Sequence, residues 1–230
     1  MKPKIIICGT GRAGTTLLVR ILTTAGFDTG FDADDIKSVE GNIGRAGLEK
    51  IPTLDNIKSL PQVIKGPQIV DVLPKILSDN WFPVGLAIIP VRNLNDAAQS
   101  RKEVHKRALS KGFIKRGLGS PGGLWKTRNP NNQRQILSEQ FYKTVQILVD
   151  SEVPTIFLSF PKFAVDADYF DRTISSELHD LFGSSRDDIN AAYLVERNPD
   201  LITVDSGREE NYTEEKPSLV KRAVRRIRGY

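Results

Sequence analysis

Apolar residues run without a break from Ile5 to Cys8, between Lys4 and Gly9. A short continuous run ended by glycine predicts a strand buried on both faces. From Thr15 the period changes. Leu17, Leu18, Ile21, Leu22 and Ala25 recur at helical spacing and stop at Gly26, which predicts an amphipathic helix over 15–25. The alternation then repeats. "QVIK" (62–65) predicts a short strand and 69–77 a helix; "GLAIIPV" (85–91) predicts a buried strand with Pro90 confined to its end. Helical periods over 94–108 and 133–150 bracket a long glycine-rich loop, and "TIFLSF" (155–160) predicts a fourth strand. Two short helices are expected near 168–182 and 186–196. Residues 27–60 are polar and irregular, with a short helix expected near 44–50. Strands alternating with helices predict an α/β domain: a mostly parallel sheet of four to five strands, covered on both faces.

Composition narrows this picture only slightly. A chain of 230 residues suits one domain, expected over 1–215, and 39% apolar residues is ordinary for a folded protein. No apolar run reaches the length of a signal-peptide core or a membrane span. The single cysteine, Cys8, excludes an intrachain disulfide, so a cytoplasmic setting is expected.

Charge placement is more informative than the net +5. Residues 104–138 hold eight Lys or Arg and no acid, and 216–230 hold six and no acid; elsewhere acids outnumber bases. Local cationic segments on an acidic body point to an anionic ligand held at one place, not to a nucleic-acid-coated surface. Residues 216–230 form a basic amphipathic helix in this reading, with Leu219, Val220, Ala223, Val224 and Ile227 as its stripe. That stripe suits docking on the body or on an anionic membrane surface.

The candidate chemistry begins after the first strand. Gly9-Thr10-Gly11-Arg12-Ala13-Gly14-Thr15-Thr16 has the spacing G-x-x-x-x-G-x-T between strand and helix. Such a loop converges backbone N–H groups on an anion at a helix N-terminus, so the expected fold is P-loop NTPase-like with three αβα layers. Thr15 stands where a nucleoside triphosphatase carries lysine, and neither "GLAIIPV" nor "TIFLSF" ends in an acid to hold magnesium. Asp71 and Asp150 fall in helical windows. A phosphate-like group bound without metal is therefore expected. Sulfuryl transfer fits, because it needs a cation against the bridging oxygen where charge develops, and Arg12 and Lys65 are the natural suppliers.

"GRAGTTLL" resembles the 5′-phosphosulfate loop of sulfotransferases that use 3′-phosphoadenosine-5′-phosphosulfate (PAPS). "RNLNDAAQS" is similar to that family's second signature, with Arg92, Asp96 and Ser100 matching and Leu94 in place of proline. "KGPQIVDVLP" matches in part: Lys65 falls at the catalytic lysine and Leu73-Pro74 at the later pair, while Pro67 occupies the histidine position. The resemblance implies that Gly11, Arg12, Ala13, Gly14, Thr15 and Thr16 grip the 5′-phosphosulfate and that Arg92 and Ser100 hold the 3′-phosphate. It also implies that Lys65 and Arg12 stabilise the leaving group, whose product is 3′,5′-adenosine bisphosphate.

Pro67 occupies the histidine position, and other branches of that family use a carboxylate base placed after the first helix, so the resemblance implies one there. Asp32, Asp34, Asp35, Glu40 and Glu49 qualify, with Asp34 and Glu49 preferred. His105 and His179 lie near no recognised site motif. The acceptor is expected to be a hydroxyl or amine of a small molecule or carbohydrate, with Trp125 stacking on a ring or packing its loop onto the body. Two rivals stand beside this reading: a magnesium-ATP-dependent kinase, and a non-catalytic nucleotide-binding module that has lost its base.

Overall fold

Four short segments, each carrying branched apolar residues, pair in one all-parallel sheet, in the order β2–β1–β3–β4. The strands are β1 (Lys4–Ile7), β2 (Val63–Lys65), β3 (Val84–Val91) and β4 (Thr155–Ser159). Ile5, Ile6 and Ile7 of β1 stand opposite Val63, Ile64 and Lys65 on one side and Leu86, Ala87 and Ile88 on the other. The computed structural model describes residues 2–40, 46–112 and 122–199; the expected tail helix over 216–230 and the Glu40 side chain lie outside the described residues.

Side-chain alternation along the strands divides the core between two faces. Ile5, Ile7, Val63, Leu86, Ile88 and Leu158 pack on one face. Against them lie Leu18, Val19, Ile21 and Leu22 of α1 (Thr15–Thr24) and, among others, Leu178, Ile189, Ala192 and Tyr193 from the C-terminal helices. Those helices are α6 (Lys162–Val165), α7 (Ala167–Phe170), a π-helical turn (Asp171–Ser175), α8 (Ser176–Phe182) and α9 (Arg186–Glu196). Ile6, Cys8, Ile64, Ala87 and Ile89 face the other way. They meet Ile69, Leu73 and Ile76 of α3 (Ile69–Ser78) and Leu148 of α5 (Gln133–Asp150). The result is the expected three-layer αβα arrangement. No helix among the described residues is long and apolar enough to cross a membrane.

Two features depart from expectation. Within 27–60 the helix is α2 (Ala33–Glu40), ahead of the expected 44–50; of that window, residues 46–50 have no regular structure, and 44–45 lie outside the described residues. The apolar pair Ile36 and Val39 at helical spacing drives it, because both reach the core while Asp32 accepts hydrogen bonds from the N–H groups of Asp34 and Asp35 at its start. Pro90 sits inside the paired part of β3, opposite Leu158. The Ile88 carbonyl accepts from Cys8 on the β1 side. Alternation therefore turns the Pro90 nitrogen to that same side, where β1 has already left the sheet, so no ladder bond is lost.

α1 and α9 are clamped by one carboxylate. Glu196, 9% exposed, accepts from Arg20 Nε at 2.8 Å and from Thr24 Oγ1 at 2.7 Å. Replacing it with alanine removes an acceptor from both helix-α1 side chains. Glu196→Ala is expected to cost about 1–3 kcal/mol of stability, read in thermal melts as roughly 2–4 °C for each kcal/mol.

Candidate functional site

The order β2–β1–β3 makes the C-terminal edge between β1 and β3 the place where successive connections diverge, which is where open parallel sheets take ligands. Two loops rise from this crevice. One runs from Cys8 to Gly14 into α1, and the other carries Arg92 and Asn93 into α4 (Leu94–Ser110), where the Asn93 side chain caps the helix by accepting from the N–H groups of Asn95 and Asp96.

The first loop is a succession of left-handed residues, with φ of 66° at Gly11, 57° at Arg12 and 80° at Gly14. At two of these the space around the backbone is also tight. A Cβ at Gly11 would lie 2.5 Å from Arg101 Nη2, and one at Gly14 would lie 2.6 Å from Phe163 Cζ. Arg12 adopts the same region at a cost of roughly 1–2 kcal/mol, offset by contacts at both its ends. Its Nε donates to Ser100 Oγ at 3.1 Å, and its carbonyl accepts from Arg92 Nη1 at 2.9 Å. Residues separated by some ninety positions thus meet in one cluster.

Lys65, at the end of β2, completes it. Its ammonium donates to Thr16 Oγ1 at 3.2 Å and to the Gly47 carbonyl at 2.5 Å, and it lies 3.5 Å from Glu49 Oε1. Lys65 is only 4% exposed. Burial lowers its pKa, Glu49 opposes that shift, and the nearby positive charge of Arg12 adds to it. Burial also lowers the pKa of Arg92, against Asp96 and Glu103. The N–H groups of Gly11, Ala13, Gly14, Thr15 and Thr16 find no acceptor among the described residues. Orphan donors at a helix start, ringed by cations that crowd one another, form a candidate site for an anion.

The structure therefore brings Gly11, Arg12, Ala13, Gly14, Thr15, Thr16, Lys65, Arg92, Ser100 and Glu49 to one end of the sheet. It leaves Asp34 apart. That side chain is 92% exposed on α2, 3.7 Å from Lys37. Trp125 packs with Leu94, Ala97, Ala98 and Leu137, joining its loop to α4 and α5. His179 Nδ1 is occupied by the Ser184 carbonyl at 2.8 Å.

Sequence reading overlooked two side chains. Arg101 counted only as an apolar stem on α4, yet its guanidinium is buried and donates to the carbonyls of Thr10 and Gly123, both at 2.8 Å. Burial, with Arg12 adding, lowers its pKa to about 10. Gln140 of α5 donates to the carbonyls of Gly9 at 3.3 Å and Pro67 at 2.9 Å. The only signal in the sequence was a polar residue on the buried side of each helical period. Compared with protein-family models and with curated proteins, the chain matches none.

An anion in the cluster relieves the repulsion among Arg12, Lys65 and Arg101, so sulfate is expected to raise the melting temperature. The pH dependence follows from Lys65. Its folded pKa lies below the ordinary 10.5, so between the two values the unfolded chain binds more protons and the anion-free protein gains stability as pH rises. An anion restores the charged lysine. The sulfate-induced increment should therefore be full below the lowered pKa and shrink as pH climbs towards 10.5, and Lys65→Met should flatten this dependence in differential scanning fluorimetry.

Proposed function

We propose that this chain is a PAPS-dependent sulfotransferase acting on a hydroxyl or amine of a small molecule or carbohydrate. The observation that carries the reading is the bond from Arg12 Nε to Ser100 Oγ, which joins the glycine loop to the α4 segment on which the second resemblance falls. Two anion-binding elements side by side suit a nucleotide with charged groups at two positions. The Arg12 guanidinium stands between them.

PAPS supplies a sulfuryl group on a phosphate that leaves with the negative charge. The S–O bond to that phosphate breaks as a new S–O or S–N bond forms to the acceptor, and the acceptor's proton passes to a base. In this reading the N–H groups of Gly11, Ala13, Gly14, Thr15 and Thr16 hold the phosphosulfate, while Lys65 and Arg12 stand against the bridging oxygen. Arg92 and Ser100 take the 3′-phosphate; doing so exchanges the Arg12–Ser100 bond for one to the ligand. Glu49 is the base best placed, since it shares Lys65 with the loop and is 30% exposed towards an incoming acceptor.

3′,5′-Adenosine bisphosphate is expected to raise the melting temperature in the presence of EDTA, and magnesium-ATP to do so less. Under turnover with PAPS and an acceptor panel, Glu49→Gln is expected to lower kcat by about 10²–10⁴ while leaving the bisphosphate shift in place. A larger shift with magnesium-ATP would favour the kinase. A bisphosphate shift with no turnover on any acceptor would favour a binding module.

A further inference from the structure

We infer that Arg101 and Gln140 are positioning residues that turn the peptide planes of the 9–14 loop before any anion arrives, aiming its N–H groups into the site. This rests on reading the loop as an anion site but not on which anion it takes.

In a trans peptide unit the C=O and the following N–H point in opposite directions. A partner that holds the carbonyl therefore also aims the amide. Three carbonyls of this loop are held by side chains from outside it. Gln140 Nε2 donates to Gly9 O at 3.3 Å, Arg101 Nη2 to Thr10 O at 2.8 Å and Arg92 Nη1 to Arg12 O at 2.9 Å. The N–H groups they turn away from themselves are those of Thr10, Gly11 and Ala13. Those of Gly11 and Ala13 are among the orphan donors at the start of α1.

Arg101 and Gln140 are built for this at a cost. Both are buried, at 4% and 7% exposure. Arg101 Nε and Gln140 Oε1 are buried and have no hydrogen-bond partner among the described residues. A methionine would fill either volume with no polar atom of its own to satisfy, but it would leave the carbonyls of Thr10 and Gly123, or of Gly9 and Pro67, without these donors, so holding carbonyls rather than filling space accounts for them. The guanidinium fork is planar and rigid. With Nη1 on the Gly123 carbonyl and its Cζ 5.9 Å from the Trp125 ring centroid, it anchors the Thr10 carbonyl to the body of the protein. Gln140 makes the equivalent tie to the Pro67 carbonyl. The loop sequence is matched to the strut: position 11 has a left-handed φ of 66°, and a Cβ there would lie 2.5 Å from Arg101 Nη2, so a larger residue would displace the guanidinium.

The test uses the full chain with inorganic sulfate and pyrophosphate as probes, followed by calorimetry and by amide ¹⁵N–¹H shifts. Wild type is expected to bind both, moving the Gly11 and Ala13 amides. Gln140→Met removes donors without removing charge, and Arg101→Lys keeps the charge but lacks the fork. Each is expected to weaken sulfate binding by roughly tenfold, with a cooperative melt retained and, before any anion is added, the Gly11 amide displaced in Arg101→Lys and the Thr10 amide in Gln140→Met. Arg101→Met is expected to be no weaker than about threefold relative to Arg101→Lys. Wild-type affinity in Gln140→Met, or in Arg101→Lys while Arg101→Met fails, overturns the proposal in favour of packing or of charge alone. If the Arg101 variants do not fold, Gln140→Met decides. Wild type that binds sulfate but not adenosine bisphosphate defeats the nucleotide reading and leaves this one standing; wild type that binds neither defeats both.

Discussion

Burying a positive charge costs several kcal/mol unless hydrogen-bond acceptors surround it, and this fold buries two beside a third. Lys65 and Arg101 lie within the protein, and each feels Arg12 as a repelling neighbour. The architecture around the glycine loop answers that constraint. Backbone carbonyls of Thr10, Gly47 and Gly123 are turned to the two cations, and Glu49 is the carboxylate that reaches Lys65. Carbonyls spent on cations are carbonyls not spent on the loop's own amides. The same exchange that makes the cations tolerable leaves the donors at the start of α1 facing outward. Cation burial and amide exposure are one arrangement seen from its two sides.

The fold was legible because burial on both faces imposes a period that leaves a trace in every element. Ile5 to Cys8, Leu86 to Ile89 and Leu158 alternate between two cores, and the helical stripes of α1, α3 and α5 meet them. What could not be read was set by long-range partners. Ile36 and Val39 mark α2 only once the core they fill is known, since two apolar positions in an acidic stretch carry little signal by themselves. Pro90 reads as a strand end until the departure of β1 removes the need for its missing N–H. Arg101 and Gln140 escape for a sharper reason. Amphipathic reading scores a polar residue on the inner face as a defect, whereas here the defect is the contact that shapes the loop.

The site divides along the same line. The loop, Arg92, Ser100 and Lys65 were accessible because their spacing sits on predictable strand ends and helix starts. Choosing among the carboxylates was not, because segment 46–50 has no periodicity to place it. The structure shows what holds it: Leu48 is buried in the core at a φ of 56°, Lys50 N–H donates to the Lys65 carbonyl at 3.1 Å, and Lys50 lies 4.6 Å from the Phe31 ring. That irregular strap, rather than α2, sets Glu49 beside the ammonium. Such segments vary readily while the sheet behind them does not, so acceptor choice is suited to reside there.

Sharing of Lys65 between Glu49 and Thr16 links the two ends of the proposed transfer. Before reaction, the carboxylate offsets the burial of the ammonium, which is why the lysine is tolerated in a site without an anion. Once Glu49 takes the acceptor's proton it no longer offers that compensation. The ammonium is then balanced only by the phosphate that is leaving with the charge. Proton removal on the acceptor side and charge stabilisation on the donor side thus draw on one residue, and each becomes more favourable as the other proceeds. A solvent-facing base such as Asp34, paired with Lys37 on the outer face of α2, has no means of supplying this coupling. In the proposed transfer the contact between Lys65 and Glu49 would therefore be more than proximity, coupling the two charge movements through one ammonium.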